Sequence, residues 1–492
     1  MTSTSENGES GGAARVTLGA SMLDSDVCYR ALLTRDARFD GQFFTAVKTT
    51  RVFCRPVCPA RTPHHANCVF YASAAAALEA GFRPCLRCRP EVSPDLPAWL
   101  GTSSTVSRAL RLINEGALDD GNVESLAERT GVGERHLRRL FEEHLGASPV
   151  AVAQTRRLLF AKRLLRETNL PLTEVAMAAG FGSLRRFNDL FRKTYARAPR
   201  ELRKAGGGAA PGAGIRLHLP YQPPYDWPGV VGFLSRRAIP GVERVTADSY
   251  ARTIRLGGEA GRISVSPADG GDPALVASIE LPSMAGLRAV IERLHRVFDL
   301  RVAPEAIARQ LGDCGVAGVR IPGAWDPFEL TVRAILGQQV SVAAATTMAG
   351  RIVERWGADA SGLTGAPFRL FPEPALLARV PVASIGLPAA RARAIEELAR
   401  EVAEGRLDFE RLGSLEEAVR RLCALRGVGE WTAQYVAMRA LGEPDAFPAG
   451  DLVLRKAAAV ATDKALLQLA EAWRPWRAYA AFSLWQKWGA RA

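Results

Sequence analysis

The spacing of apolar positions changes along this chain, and each change marks a different kind of element. Between 102 and 204 the spacing is helical, and the segment contains an internal repeat. Leu126-Ala127, Gly131 and Val132 recur as Val175-Ala176, Gly180 and Phe181 at an offset of 49. Leu137, Phe141 and Pro149 recur as Phe187, Phe191 and Pro199 at an offset of 50. Each copy reads as a helix, a glycine-containing turn and an amphipathic helix, which is the helix-turn-helix plan. The second helices are expected at about 134–144 and 183–194. Beyond residue 215 the pattern alternates, so Thr253-Ile254-Arg255-Leu256 and Arg262-Ile263-Ser264-Val265 predict strands. From about 284 the period is helical again: Val290, Ile291, Leu294, Val297 and Phe298 fall on one face.

These patterns predict a division of the chain. Residues 1–20, rich in Ser and Gly, read as a disordered leader. A cysteine-containing module follows at 21–97, then the tandem helical segment at 102–204. Residues 205–214 are a flexible linker by composition. A small α/β part is expected at 215–288 and a mostly helical part at 289–492. The length of 492 residues agrees with about three domains at roughly 150 residues each.

Composition narrows the class. With 48% hydrophobic residues, wholesale disorder is excluded. No uncharged apolar run of about 18 residues predicts a membrane span, and the start of the chain lacks the pattern of a secretion signal. A cytoplasmic, nucleoid-associated monomer is expected, with cysteines serving as thiols or metal ligands rather than disulfides. The formal charge is +13. Residues 101–204 carry 19 basic and 12 acidic side chains, and 21–100 carry 10 and 7. That balance suits a nucleic-acid partner.

In the tandem segment the second helices carry Arg135, Arg138 and Arg139, then Arg185, Arg186, Asn188, Arg192 and Lys193. Arg138, Arg139, Arg185 and Arg186 are the foremost DNA-contact candidates. Ala176, Gly180-Phe181 and the Phe191…Pro199 ending resemble the DNA-binding domain of AraC-type transcription activators. The resemblance implies two recognition helices in successive major grooves, about 34 Å apart along the duplex.

Cys54-x3-Cys58 and, further on, Cys85-x2-Cys88 fit one tetrahedral four-thiolate zinc site. Cys28 and Cys68 lack partners at ligand spacing and read as ordinary thiols; His64 and His65 sit in the loop between the two pairs. The stretches from Val47 to Cys58 and from Gly81 to Cys88 resemble the zinc domain of Ada-type adaptive-response proteins. This implies that Cys54 accepts a methyl group irreversibly from a DNA methylphosphotriester. Cys58, Cys85 and Cys88 would complete the zinc shell, with Arg61, Arg83 and Arg87 on phosphates. Zinc keeps the nucleophilic sulfur deprotonated. Four thiolates on Zn²⁺ sum to −2, and methylation of Cys54 leaves −1. At an effective dielectric of 20, a unit-charge pair at 4 Å is worth about 4 kcal/mol. Relief of even part of that repulsion predicts stronger DNA binding after methylation. No Pro-Cys-His motif occurs, so repair of O6-methylguanine is not expected.

Leu425-Arg426-Gly427-Val428-Gly429-Glu430-Trp431 places a Gly-x-Gly turn before a helix N-terminus, a local design for backbone contact with a phosphate. This stretch resembles the helix-hairpin-helix of base-excision glycosylases. With Tyr221–Trp227, Ala334–Ala343 and Trp473–Tyr479, it resembles the AlkA-type 3-methyladenine glycosylases over about 215–492. The resemblance implies Asp451 as the catalytic carboxylate and Phe233, Trp431, Tyr435 and Trp485 as walls of a base pocket. Gly427 and Gly429 would meet DNA; Gln339 stands at the wedge position that fills the gap left by a flipped nucleotide, where the best-known AlkA-type wedge is Leu, and a polar Gln fills an apolar gap less favourably. Cationic alkylated purines would lie against electron-rich rings, and Asp451 would stabilise an oxocarbenium-like sugar. Trp431 stands where lyase-competent relatives carry Lys, so a hydrolytic, monofunctional reaction is expected.

The expected architecture is multidomain α+β. It comprises a small zinc domain, an all-α tandem helix-turn-helix, a small antiparallel α/β domain and a mostly helical glycosylase domain. The expected function is alkylation repair and response on alkylated and promoter double-stranded DNA, with one Zn²⁺ and no membrane partner. Activation of transcription would add RNA polymerase as a partner. The rival readings are a regulator whose C-terminal part only binds DNA, and a glycosylase whose front end is a targeting arm.

Overall fold

The computed structural model describes residues 24–93, 104–203, 214–270, 273–363 and 368–489. The expected leader at 1–20 lies outside the described residues, as does the expected linker apart from Gly214.

The N-terminal module opens with α1 (Ser25–Thr34), followed by β1 (Phe44–Val47), β2 (Val52–Cys54), β3 (Cys68–Tyr71), α2 (Ala74–Glu79) and the short β4 (Arg83–Pro84). The strands form one sheet in the order β3-β1-β2-β4. Only the β2–β4 pair is parallel, with Phe53 opposite Pro84, and it draws the two cysteine segments together. Phe44, Ala46, Phe53, Ala77 and Phe82 form the small apolar core behind the sheet.

The repeat is realised as two helix-turn-helix units. After α3 (Ser104–Glu115) come α4 (Val123–Thr130) and α5 (Glu134–Leu145). The long α6 (Pro149–Glu167) leads to α7 (Leu172–Ala178) and α8 (Leu184–Tyr195). Gly131 and Gly180 end the first helix of each unit at φ of 77° and 80°, a conformation that disfavours a Cβ. Equivalent apolar positions, Leu126 with Val175, Leu137 with Phe187 and Phe141 with Phe191, are all buried. Ser148 and Ser183 cap α6 and α8 by accepting from the backbone N–H groups of Ala151 and Arg186.

The C-terminal part begins with β5 (Ile215–Pro220), α9 (Trp227–Ser235), β6 (Glu243–Val245), β7 (Tyr250–Leu256), β8 (Glu259–Pro267) and β9 (Ala274–Glu280). The strands form an antiparallel sheet in the order β5-β9-β8-β7-β6. The two alternating stretches pair directly, with Thr253 opposite Arg262. Helices then dominate: α10 (Leu287–Val297), α11 (Pro304–Leu311), α12 (Pro327–Leu336) and α13 (Val342–Trp356). A two-strand ribbon, β10 (Ala358–Asp359) and β11 (Arg369–Leu370), precedes α14 (Pro374–Leu377), α15 (Ala389–Ala403), α16 (Leu415–Cys423) and α17 (Glu430–Val436). A π-helical turn, Ala437–Leu441, extends α17 before α18 (Leu452–Ala457), α19 (Asp463–Ala470) and α20 (Arg477–Gly489). The face Val290, Ile291, Leu294, Val297 and Phe298 is buried, as its spacing predicts.

The parts share cores. The first helix-turn-helix unit packs in one apolar cluster with Ala75 and Ala76 of α2. The second unit belongs to a continuous cluster that runs from Leu158 on α6 to Leu484 on α20. Polar ties cross the same boundaries. Lys162, fully buried on α6, donates to Glu91 at 2.7 Å and to the Cys85 carbonyl at 3.2 Å. Gln222 donates to the Asp40 carbonyl at 2.8 Å. No described helix is long and apolar enough to cross a membrane.

Candidate functional site

The four motif cysteines converge, with their sulfur atoms all within 4.8 Å of one another. β2 delivers Cys54 and the β4 end delivers Cys85, while tight turns bring in Cys58 and Cys88. The Arg55 backbone N–H points at Cys88 Sγ at 3.3 Å, and that of Arg87 at Cys85 Sγ at 3.3 Å. Such N–H groups stabilise thiolates. The cluster resists full ionisation by itself: hydrogen bonding with Cys58 pushes the Cys54 thiol up, while hydrogen bonding with Cys54 brings Cys58 down to about 7. A dication resolves that conflict, so the donor set fits Zn²⁺. Cys58, Cys85 and Cys88 are buried, whereas Cys54 is partly exposed.

Arg61, Arg83 and Arg87 are exposed around this cluster. Arg55, by contrast, is committed to a buried pair with Asp40. His65 lies apart from the ligand set, stacked on Tyr29 at 4.5 Å and bonded to Ser25. Cys28 is fully buried, and burial pushes its thiol up to about 12.

Both second helices present their cations to solvent: Arg135, Arg138 and Arg139 on α5, and Arg185, Arg186, Arg192 and Lys193 on α8. Arg138 pairs with Glu134, and Arg139 lies 3.7 Å from Glu143. Arg185 lies 4.0 Å from Asp189. Exposed pairs of this kind are worth at most about 1 kcal/mol, so a phosphate can displace them.

A second site lies in the C-terminal part, where a cavity of about 1090 Å³ is lined by Phe233, Trp431, Tyr435, Asp451, Phe482 and Trp485 among others. Asp451 is the N-cap of α18 and accepts from the Leu454 backbone N–H at 2.9 Å. Its other contacts come from two indoles: Trp431 Nε1 donates to Oδ2 at 2.9 Å and Trp485 Nε1 to Oδ1 at 3.2 Å. The carboxylate is thus aimed into the cavity by three donors. The sequence suggested these tryptophans as walls; their N–H groups also orient the acid, which no spacing rule could reveal. Trp431 and Tyr435, one helical turn apart on α17, stack at 5.2 Å with an interplanar angle of 9°. Tyr435 meets Trp485 edge-on at 6.4 Å. Phe233 is buried against Phe482, with ring centroids 5.0 Å apart.

The Gly-x-Gly turn leads directly into α17, which carries Trp431 and Tyr435. Gly427 has φ of 79°, and a Cβ there would lie 2.9 Å from the Ala394 side chain. Gly429, the N-cap of α17, faces open space. Gln339 is exposed between α12 and α13 at a left-handed φ of 56°. Its neighbour Gln338, passed over in the sequence, joins that loop to the turn by donating to the Gly427 carbonyl at 2.8 Å and Thr432 at 3.2 Å. The paired glutamines were the available signal.

Comparison with known proteins covers both sites. The family described as the metal binding domain of Ada matches residues 27–91, and a helix-turn-helix domain family matches 126–205. The AlkA N-terminal domain matches 216–326, and the HhH-GPD superfamily of base excision DNA repair proteins matches 332–462. The chain is 42% identical over 479 residues to the probable bifunctional transcriptional activator/DNA repair enzyme AlkA of Mycobacterium tuberculosis, covering 94% of this chain and 96% of that protein. It is 35% identical over 276 residues to DNA-3-methyladenine glycosylase 2 of Escherichia coli, covering 54% of this chain and 95% of that one. It is 32% identical over 192 residues to the bifunctional transcriptional activator/DNA repair enzyme AdaA of Bacillus subtilis, covering 39% of this chain and 87% of that one. The four-cysteine cluster is accordingly the site of one Zn²⁺, and DNA is the partner of the helical modules.

Proposed function

This chain belongs to the family of bifunctional transcriptional activator/DNA repair enzymes of the AlkA type, and on that premise we propose that it joins two alkylation-repair reactions. The C-terminal part excises alkylated purines such as 3-methyladenine from DNA by hydrolysis. The N-terminal module takes a methyl group from a backbone methylphosphotriester onto Cys54, and the modified protein activates transcription.

The observation that carries the glycosylase reading is the carboxylate of Asp451, aimed by Trp431, Trp485 and Leu454 into an aromatic-lined cavity. A nucleotide must leave the stack to enter it. Gln339 stands at the loop tip where the vacated space would open, and Gly429, which faces open space, leaves room for the DNA backbone beside Gly427. As the C1′–N bond breaks, its electron pair departs with the base and positive charge develops on the sugar. Asp451 stabilises that charge and orients the water that adds to C1′, giving an abasic site after loss of a proton. Trp431 stands where lyase-competent relatives carry Lys, and its indole, bonded to Asp451, forms no Schiff base, so hydrolysis without a lyase step is the expected reaction.

At the N-terminal site, bound Zn²⁺ supplies the charge that keeps the thiolates deprotonated at neutral pH. Cys54 Sγ attacks the methyl carbon, the new S–C bond replaces the C–O bond, and the pair returns to the phosphate oxygen. A neutral triester becomes an anionic diester, and the cysteine cluster loses one negative charge. Arg61, Arg83 and Arg87 hold the flanking phosphates. Domain limits near 21–97, 102–204 and 215–492 accommodate this division of labour.

The deciding experiment measures free 3-methyladenine released from methylated duplex DNA by the full-length chain and by Asp451→Asn. Release by the wild type and its near-absence in the variant support the glycosylase. No release by the wild type leaves a regulator with a DNA-binding C-terminal part.

A further inference from the structure

The first helix-turn-helix unit and the C-terminal part meet without sharing a buried apolar core. Val106, Ala109, Leu110, Leu112 and Ile113 of α3 pack in the cluster of that unit with α2. Ala437, Met438, Ala440 and Leu441 of the π-helical turn belong to the other, continuous cluster. Between α3 and the turn lies a cavity of about 380 Å³, lined by Arg108, Arg111, Arg439, Leu441 and Glu443 among others. Polar groups span it. Arg108 on α3 donates to Glu443 at 3.4 Å, and Arg111, one turn further along α3, donates to the Leu441 carbonyl.

Both ties end on the segment that leaves the base cavity. α17 carries Trp431 and Tyr435 and runs without a break into the π-helical turn, which Gly442 ends at a φ of 71°. Such turns are rare and concentrate at functional sites. On its inner side the turn is held by Arg439. That side chain donates to the Pro322 carbonyl at 2.7 Å, the Gly323 carbonyl at 3.2 Å and the Tyr435 hydroxyl at 2.8 Å. On its outer side the turn is gripped by Arg108 and Arg111. Glu443, the partner of Arg108, closes the turn itself by donating its backbone N–H to the Ala437 carbonyl at 3.0 Å. Arg108 is 7% exposed, and an ion pair buried to that degree is costly to break from one side.

We propose that Arg108 and Arg111 are positioning residues for base excision: the first helix-turn-helix unit holds the π-helical turn from outside and so fixes the Trp431–Tyr435 ring pair against Asp451. This rests on the glycosylase reading above. The two rings stack at 5.2 Å, and the Trp431 indole is bonded to Asp451 at 2.9 Å, so a shift at the end of α17 is passed to the reacting carboxylate. Neither arginine lines the base cavity, and both act through the turn. A misplacement of about 1 Å at a reacting centre can cost about 10²-fold in rate.

The test measures 3-methyladenine release from methylated duplex DNA in single turnovers, with the full-length chain in excess and its concentration varied. Wild type is compared with Arg108→Glu, Glu443→Arg, the double reversal Arg108→Glu/Glu443→Arg, Arg111→Ala and Arg111→Lys. The rate constant at saturating protein reports positioning. A loss of folded protein instead raises the concentration needed for half the maximal rate and leaves the plateau in place. The expected plateau is about tenfold lower in each single reversal and in Arg111→Ala. The double reversal re-forms the ion pair in the opposite sense and restores most of the rate, as does Arg111→Lys. Plateaus equal to wild type in the single reversals or in Arg111→Ala, or a double reversal no faster than the single ones, overturn this inference alone. A wild type that releases no base overturns the glycosylase reading and this inference with it.

Discussion

Arg288 on α10 donates to both carboxylate oxygens of Asp119, at 3.0 and 2.8 Å, across the boundary between the C-terminal part and the first helix-turn-helix unit. The same guanidinium reaches the carbonyls of Ile113 at 2.6 Å and Ala179 at 3.3 Å. Ala179 belongs to the second unit, so one side chain of the C-terminal part touches both. Asp119 also accepts from Arg157 on α6 at 2.7 Å. Around this point Arg108 meets Glu443 and Arg129 meets Glu410. The repair half and the regulatory half are thus physically joined.

Removing that tie should be felt by the whole molecule. Arg288 is 9% exposed, and truncation strands part of the Asp119 charge. Arg288→Ala is expected to cost about 2 kcal/mol, below the range for fully buried pairs because Arg157 remains. Urea unfolding, followed separately by Trp fluorescence and by zinc release, checks this. Unchanged midpoints in both signals would mean the contact carries no energy.

The two indoles should contribute to chemistry through the acid they hold. Trp485→Phe keeps a ring in the cavity and removes only the N–H at 3.2 Å from Asp451. A charge-assisted hydrogen bond lost at a reacting carboxylate predicts a drop of about tenfold in single-turnover 3-methyladenine release. Trp431→Phe should do the same or more, since its N–H lies at 2.9 Å. Rates equal to wild type in both variants would leave the tryptophans as walls only.

Methylation at Cys54 should tighten DNA binding by lowering negative charge at a surface ringed by Arg61, Arg83 and Arg87. Protein treated with methylphosphotriester DNA is expected to bind its operator at least tenfold more tightly than untreated protein at low salt. The gain should shrink as salt rises, because exposed charges are screened within about 10 Å at 0.1 M. Cys54→Ser should show no gain after treatment. Equal affinity of treated and untreated wild type, by fluorescence anisotropy, would end the switch proposal.

Glu167 gives a pH test of how the modules are joined. It pairs with Arg89 of the zinc module at 2.8 Å and accepts from the His218 backbone N–H of β5 at 3.1 Å. Burial alone would raise its carboxyl, but Arg163, His218 and Arg89 outweigh that and hold it down at about 2, against an ordinary 4.5. A depressed folded value means the ionised group stabilises the fold above the unfolded value and ceases to do so as pH falls toward 2. Glu167→Gln is therefore expected to be less stable than wild type by about 2–3 kcal/mol at pH 7. The difference should close between about pH 4.5 and 2. A constant difference across that window would assign the loss to packing rather than charge.

Much of the fold was legible because its signals are local. Gly131 and Gly180 were found from an internal repeat, since a helix stop followed by a second amphipathic helix needs a residue that tolerates positive φ at that point. The strands around Thr253 and Arg262 were read from alternation, because a sheet with one buried face repeats every two residues. The four cysteines were read from pair spacing, because short loops place two thiolates on one ion. Asp451 came from its resemblance to a known family rather than from any local pattern.

By itself, then, the sequence nominated residues for chemistry and marked which segments form helices and strands. Only the tertiary structure decided what those residues meet. Trp431 and Trp485 lie 54 positions apart, and only folding brings both indole N–H groups onto one carboxylate. Phe233 reads in sequence as an open aromatic wall, but a guanidinium four residues onward folds back over its face. Arg288 and Asp119 lie 169 positions apart and have no shared pattern at all. Hydrophobic period and ligand spacing are set within a few residues of chain, whereas the direction of a hydrogen bond and the sum of charges around a cavity are set by which distant surfaces pack together.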